Sequence, residues 1–134
     1  MSRSLIQTAN QSSQTVAEGS VISLGQALRR FGCNCRLNGN AIEVSGEGYY
    51  TIDADVTVVP TAIGNVSVGV YVDGTLVPSA IATGSVSTVG NAVTLPINTT
   101  IRQGCCCDSS DSITVVLISG ESTITNVSVR VQKV

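Results

Sequence analysis

Histidine is absent from this 134-residue chain. Its absence removes the commonest general base and the usual partner of a serine or cysteine nucleophile, so the chain reads as non-enzymatic. Aromatic residues make up only 3%: Phe31, Tyr49, Tyr50 and Tyr71. Any core must therefore be aliphatic. Charged residues are also scarce, at 12%, and the net charge is −2. The basic residues are scattered, with only Arg29, Arg30 and Arg36 approaching a cluster, so no basic face for nucleic acid is expected. No run approaches the roughly 18 apolar residues of a membrane-spanning helix. Met1-Ser2-Arg3-Ser4 has no apolar run behind it, unlike a secretory signal. The expectation is a protein made in the cytoplasm that stays inside, or leaves by host lysis as part of a virion or other extracellular particle.

What is abundant is Val, Ile and Thr, which are stiff at the first side-chain torsion and suit a pleated surface. Together with 13 glycines and no long run of helix formers, they predict an all-β protein. Residues 1–15 are polar and predict an N-terminal arm or a first strand through Leu5 and Ile6; residues 16–134 predict the main domain. Tyr50 to Val58 is the clearest strand. Tyr50, Ile52, Ala54, Val56 and Val58 share one face, while Thr51, Asp53, Asp55 and Thr57 share the other. Val66 to Val72 alternates in the same way and runs into Asp73-Gly74, a tight hairpin signal. Thr75-Leu76-Val77 returns and Pro78 follows. Further strands are predicted at Val21–Leu24, Ala41–Val44, Val93–Ile101 with Pro96 marking an edge or bulge, Ile113–Ile118 at the centre of a sheet, and Thr125–Val131. Leu24–Phe31 reads as strand or irregular, since no cap signals bracket a helix. Eight to ten short strands imply an antiparallel jelly-roll sandwich. A mean hydropathy of +0.33 without a membrane span suggests more apolar surface than one copy hides, and hence an oligomer.

The order of motifs resembles a known superfamily. Gln14-Thr15-Val16-Ala17-Glu18-Gly19, Gly48-Tyr49-Tyr50-Thr51-Ile52, Val68 to Pro78 (VGVYVDGTLVP) and Ile101-Arg102-Gln103-Gly104 are similar to successive motifs of the tumour-necrosis-factor/complement-globular-head jelly rolls. Within that superfamily they resemble most the C-terminal domains of bacterial collagen-like spore-surface proteins and small prophage-encoded relatives. The resemblance spans about residues 14 to 134. It implies a ten-strand jelly roll forming a tight homotrimer with a structural, adhesive or receptor-binding role. It also implies that Tyr50, in the place of the family's Gly-x-Tyr tyrosine, lies near the threefold axis; Tyr50 and Tyr71 are the candidate subunit contacts, against an ordinary place in the core or across strands. There is no collagen-like stalk, which favours a stand-alone particle component, and Cys105 stands where the family usually has Asp.

Five cysteines are the unusual feature: Cys33 and Cys35, then Cys105, Cys106 and Cys107. Three readings stay open. The two groups could meet in disulfides, with at least one thiol left over. They could be reduced structural thiols. Or they could bind zinc, although neither spacing matches the usual Cys-x2-Cys. Asp53 with Asp55, and Asp108 with Asp111, are candidate calcium carboxylates or simply solvated faces. Four Asn-x-Ser/Thr triplets, at Asn10, Asn65, Asn98 and Asn126, are read as chance. No cofactor, no metal and no nucleic-acid partner is expected. The leading expectation is a homotrimeric phage or prophage virion component: a capsid decoration, fibre head or tail-associated protein, with other virion proteins or a surface glycan as partners. The alternatives are a bacterial surface or spore-coat binding module and a cysteine-based metal-binding protein.

Overall fold

The computed structural model describes residues 4–32, 34–88, 90–103 and 110–133. Alternating apolar and polar residues build eleven strands: β1 (Leu5–Asn10), β2 (Gln14–Val16), β3 (Gln26–Phe31), β4 (Cys35–Asn38), β5 (Ala41–Ser45), β6 (Gly48–Pro60), β7 (Gly64–Val72), β8 (Thr75–Val86), β9 (Val93–Gln103), β10 (Ser110–Ser119) and β11 (Ser122–Lys133). They form two antiparallel sheets. The first runs β3-β1-β11-β6-β9, with β2 also paired to β11; the second runs β4-β5-β10-β7-β8. This is a jelly-roll sandwich, and the described residues contain no helix.

The inward faces are almost wholly aliphatic. Ile6, Ile52, Val56, Val58, Val127, Val129 and Val131 of the first sheet meet Ile42, Val44, Val66, Val68, Val70, Ile113, Val115 and Leu117 of the second in one buried cluster. The two sheets thus bury each other's apolar rows, at roughly 25 cal/mol for each Å² removed from water. The high mean hydropathy is spent largely inside this one protomer. Among the described residues only Val21, Leu28, Phe31, Tyr49, Ile63 and Ile81 stand out as large exposed apolar side chains.

Several local expectations are revised. Val21–Leu24 is not a strand. Residues 19–22 instead lie beside β10, where the Ile22 N–H donates to the Val115 carbonyl at 2.8 Å and the Leu117 N–H to the Ser20 carbonyl at 3.1 Å. The segment prolongs the β10 edge that β5 leaves at Ile113, and it drops Ile22 and Leu24 into the core. β8 continues from Thr75-Leu76-Val77 through Pro78 to Val86. The β7–β8 register slips between Gly69 and Tyr71, and β8 is an edge strand, so proline's missing N–H costs little there. Pro96 likewise sits on the outer strand β9, opposite Asp55. Between Ile124 and Asn126 the β11 register also shifts, leaving Thr125 without a partner on β6 and changing the phase of the strand's start. The Asp73-Gly74 turn has positive φ at both residues, 52° and 83°, as a tight two-residue hairpin requires. Leu5 pairs with Gln132 on β11, which sets both described chain ends at one end of the sandwich.

Candidate functional site

Two regions hold the residues that sequence reasoning singled out: the outer face of the first sheet, and the sandwich end where the cysteine-flanking residues converge.

The outer face follows from the alternation in β6. Because Tyr50, Ile52, Ala54, Val56 and Val58 point inward and are buried, Tyr49, Thr51, Asp53, Asp55 and Thr57 point outward. Register then sets the rows. Phe31, Leu5, Gln132, Thr51 and Thr100 form one; Arg29, Gln7, Arg130, Asp53 and Asn98 form the next. In the second row the Arg130 guanidinium donates to Asp53 at 2.7 Å. That pairing argues against Asp53 and Asp55 as a shared calcium site, since a cation would sit beside a guanidinium. Gln7, Asp53, Asp55, Ser128 and Arg130 line a shallow depression of about 240 Å³. The Asp55 side chain makes no hydrogen bond or ion pair among the described residues, and neither does that of Arg29. The face is polar at its centre and apolar at its margins, where Leu28, Phe31 and Tyr49 are 56%, 60% and 56% exposed.

Tyr50 is fully buried within the protomer. Its hydroxyl reaches the Ser45 carbonyl at 2.7 Å and the Gly46 carbonyl at 2.9 Å, holding the corner where the chain passes from β5 to β6. With no exposed surface it cannot touch a second copy, so the structure gives Tyr50 the ordinary core role. The preceding residue, Tyr49, is the one that faces out. Tyr71 lies on β7 between Thr114 of β10 and Leu76 of β8, partly exposed on the outside of the second sheet. The structure therefore does not bring Tyr50 and Tyr71 together. The signal for Tyr49 was present in the phase of β6.

The other region lies at the end where Gly46 and Glu47 join the sheets. Gln103 is opposite Gly48, Ser110 is opposite Ser45, and Cys35 is opposite Val44. The described residues flanking both cysteine groups thus converge there, while Cys33, Cys105, Cys106, Cys107 and Asp108 themselves lie outside the described residues. Cys35 is a free, buried thiol. Burial pushes its pKa up to about 11, and the charges of Arg30 and Lys133 pull it down only in part. At neutral pH it is a protonated thiol in an apolar setting, which suits a core filler. Beside it Ser4 donates to the Asn34 side-chain oxygen at 2.8 Å, and the Asn34 amide donates to the Ser45 carbonyl at 2.6 Å. Among the described residues no group of three or more Cys, Asp or Glu side chains is placed to hold a metal.

Asp111, the second residue of β10, lies opposite Val44 and meets Asp73 of the β7–β8 turn. Asp73 is fixed there, because its carboxylate accepts from the Ser112 N–H and its own N–H donates to the Ser112 carbonyl, both at 2.9 Å. Burial first, then hydrogen bonding to Asp73 and its negative charge, raise the Asp111 pKa to about 6. Nothing in the sequence points to this pair; only the register of β7 on β10 brings it together.

No family model matches the sequence, and no curated protein matches it. Solved structures match the fold. Murine APRIL, in its crystal structure at pH 5.0, superposes with a TM-score of 0.77 at 12% identity, over 99% of this chain and 100% of that one. The globular domain of zebrafish complement 1qA gives 0.68 at 6% identity, over 95% of this chain and 94% of that one. The PRD1 vertex protein P5 gives 0.65 at 12% identity, over 98% and 96%. The fold is therefore the tumour-necrosis-factor/complement-head jelly roll that the motif order predicts. At these identities the likeness speaks to the fold and not to the task.

Proposed function

We propose that this chain is a non-enzymatic structural and display protein that assembles as a homotrimer in a phage or prophage particle, as a capsid decoration, fibre head or tail-associated component. The observation that carries the reading is the outer face of the first sheet, whose margins keep Leu28, Phe31 and Tyr49 exposed on a fold shared with a vertex protein. Three of the six large apolar side chains exposed among the described residues fall on this one sheet, which is where a second copy would bury them. The polar, shallow character of the remaining surface fits display and weak adhesive contact. Three copies would strengthen weak surface or glycan contacts through avidity.

Light scattering at micromolar concentration tests the assembly. The expected mass is about 41 kDa, three times the 13.7 kDa protomer; a stable single-protomer mass would overturn it. Mass spectrometry of particles purified from lysates of cells carrying the gene tests the location. The chain should co-purify with the particles at constant stoichiometry through a density gradient. A chain left wholly in the soluble fraction would overturn the particle assignment.

A further inference from the structure

We propose that Asn38 is a modification site: its side-chain amide is lost spontaneously to attack by the backbone nitrogen of Gly39, leaving aspartate or isoaspartate in its place. The reaction needs only water, and the inference stands apart from the homotrimer reading.

Sequence and turn geometry both lead to it. Asn38-Gly39 is the single Asn-Gly pair in the chain. Every other asparagine precedes a residue with a side chain, and Asn65, Asn98 and Asn126 precede a stiff β-branched one. Glycine lets another group come close to its backbone without a clash. β4 and β5 pair Asn38 with Ala41, so Gly39-Asn40 is a two-residue loop. Gly39, the first of the two, takes a φ of 63°, and a Cβ there would meet nothing within 4 Å. Asn38, Gly39 and Asn40 are all exposed, and the Gly39 N–H makes no hydrogen bond among the described residues. The attacking nitrogen is thus open to solvent. The other two-residue hairpin of this kind, Asp73-Gly74, is locked, because the Asp73 carboxylate accepts from the Ser112 N–H at 2.9 Å. The Asn38 side chain is held by one longer bond among the described residues, from its amide to Glu43 Oε2 at 3.2 Å.

The Gly39 nitrogen gives its proton to water or hydroxide and bonds to the Asn38 side-chain carbonyl carbon. The amide carbon–nitrogen bond breaks, and its nitrogen takes a proton from water and leaves as ammonia. Water then opens the succinimide ring at either carbonyl, to aspartate or to isoaspartate. No electrons change hands. Glu43 is the brake. To turn toward the Gly39 nitrogen the amide must first release the Glu43 carboxylate, which Arg36 holds in place at 2.7 Å. Once the amide is gone, a carboxylate faces Glu43 where a donor stood, and isoaspartate lengthens the main chain at the Asn38–Ala41 pair. Both changes loosen β4, a short outer strand of the second sheet. That strand lies away from the first-sheet face on which copies would meet, so assembly leaves the site open. The change runs one way, and the fraction converted records the age of the chain.

The experiment holds the purified chain in warm, mildly alkaline buffer and follows its intact mass, the ammonia released and the digest peptide that carries Asn38. Exchange of NH2 for OH adds about 1 Da. That rise should fall on Asn38 first. It should proceed at no less than about one tenth of the rate in the guanidinium-unfolded chain, since the hairpin tip is already open in the native state. Asn38→Gln, whose longer side chain closes only a larger and slower ring, should abolish the early rise. Glu43→Ala should speed it about threefold by removing the bond that holds the amide. A native chain that keeps its mass while the unfolded chain converts, or an early rise on another asparagine, would overturn the site. A Glu43→Ala rate equal to the wild type would overturn the part given to Glu43 and leave the site standing. The comparison of native with unfolded chain uses no variant, so it decides even where a substitution prevents folding.

Discussion

Replacing Gly120 and Gly74 by alanine, each in turn, separates two costs that usually come mixed. The two glycines share a backbone conformation, with φ of 82° and 83°. A side chain in that left-handed region costs about 1 kcal/mol in either place. They differ in what surrounds them. A Cβ on Gly74 would meet nothing within 4 Å. A Cβ on Gly120 would stand 2.8 Å from the Asn65 carbonyl and 3.2 Å from Val66, both on the backbone side of β7. β7 is held between β10 and β8, and Val66 is fully buried, so the strand has no room to retreat. The turn cannot lift away freely either, because the Gly120 N–H donates to the Glu18 carboxylate at 2.9 Å and the Ser122 hydroxyl donates to the Gly120 carbonyl at 2.7 Å. Forcing a methyl into such a packed place costs a further 1–3 kcal/mol or so. G74A should therefore lose about 1 kcal/mol and G120A about 3 kcal/mol. Equilibrium urea unfolding at one fixed protomer concentration, with the slope compared between variants, reads the difference. Losses equal within about 0.5 kcal/mol would refute the steric argument and leave only the conformational one.

Other outcomes follow from single side chains. Thr8 is buried with its hydroxyl unpartnered among the described residues, so Thr8→Val should stabilise by about 1 kcal/mol in the same assay, and a loss of that size would show a hidden partner. Tyr50→Phe strips the donor shared by the Ser45 and Gly46 carbonyls and should cost about 1–2 kcal/mol; a neutral result would mean the corner holds without it. Asp111 keeps its proton in the native state up to about pH 6, whereas the unfolded chain releases it near the ordinary 3.8. Its contribution to stability is thus present in full below pH 3.8 and is lost as pH rises through about 6. Asp111→Asn, which keeps a donor toward Asp73, should flatten that part of the urea-midpoint curve between pH 4 and 7; an unchanged slope would place the titration elsewhere.

The parts of the fold legible in the sequence are those governed by local pattern. The phase of β6, the Asp73-Gly74 turn and the edge position marked by Pro96 all follow from spacing or from one residue's backbone limits. What was not legible depends on pairing between distant segments. Ile22 and Leu24 are buried although their segment is no strand, because β5 ends early and leaves part of β10 uncovered. The slip opposite Pro78 and the unpaired Thr125 are register events that no local window records. The site divides along the same line. That Tyr49 and not Tyr50 faces outward follows from alternation. That Arg29 and Asp53 share a row follows only once β3, β1, β11 and β6 are aligned.

The pairing of Leu5 with Gln132 has a practical consequence. Whatever is fused to either described end of the chain leaves from the same pole, and the opposite pole, with the β10–β11 turn at Gly120, points away from it. A linker of a few residues should suffice to join the ends, so that the chain can be cut open instead at an exposed hairpin tip such as Asp73-Gly74 and still find its native pairings.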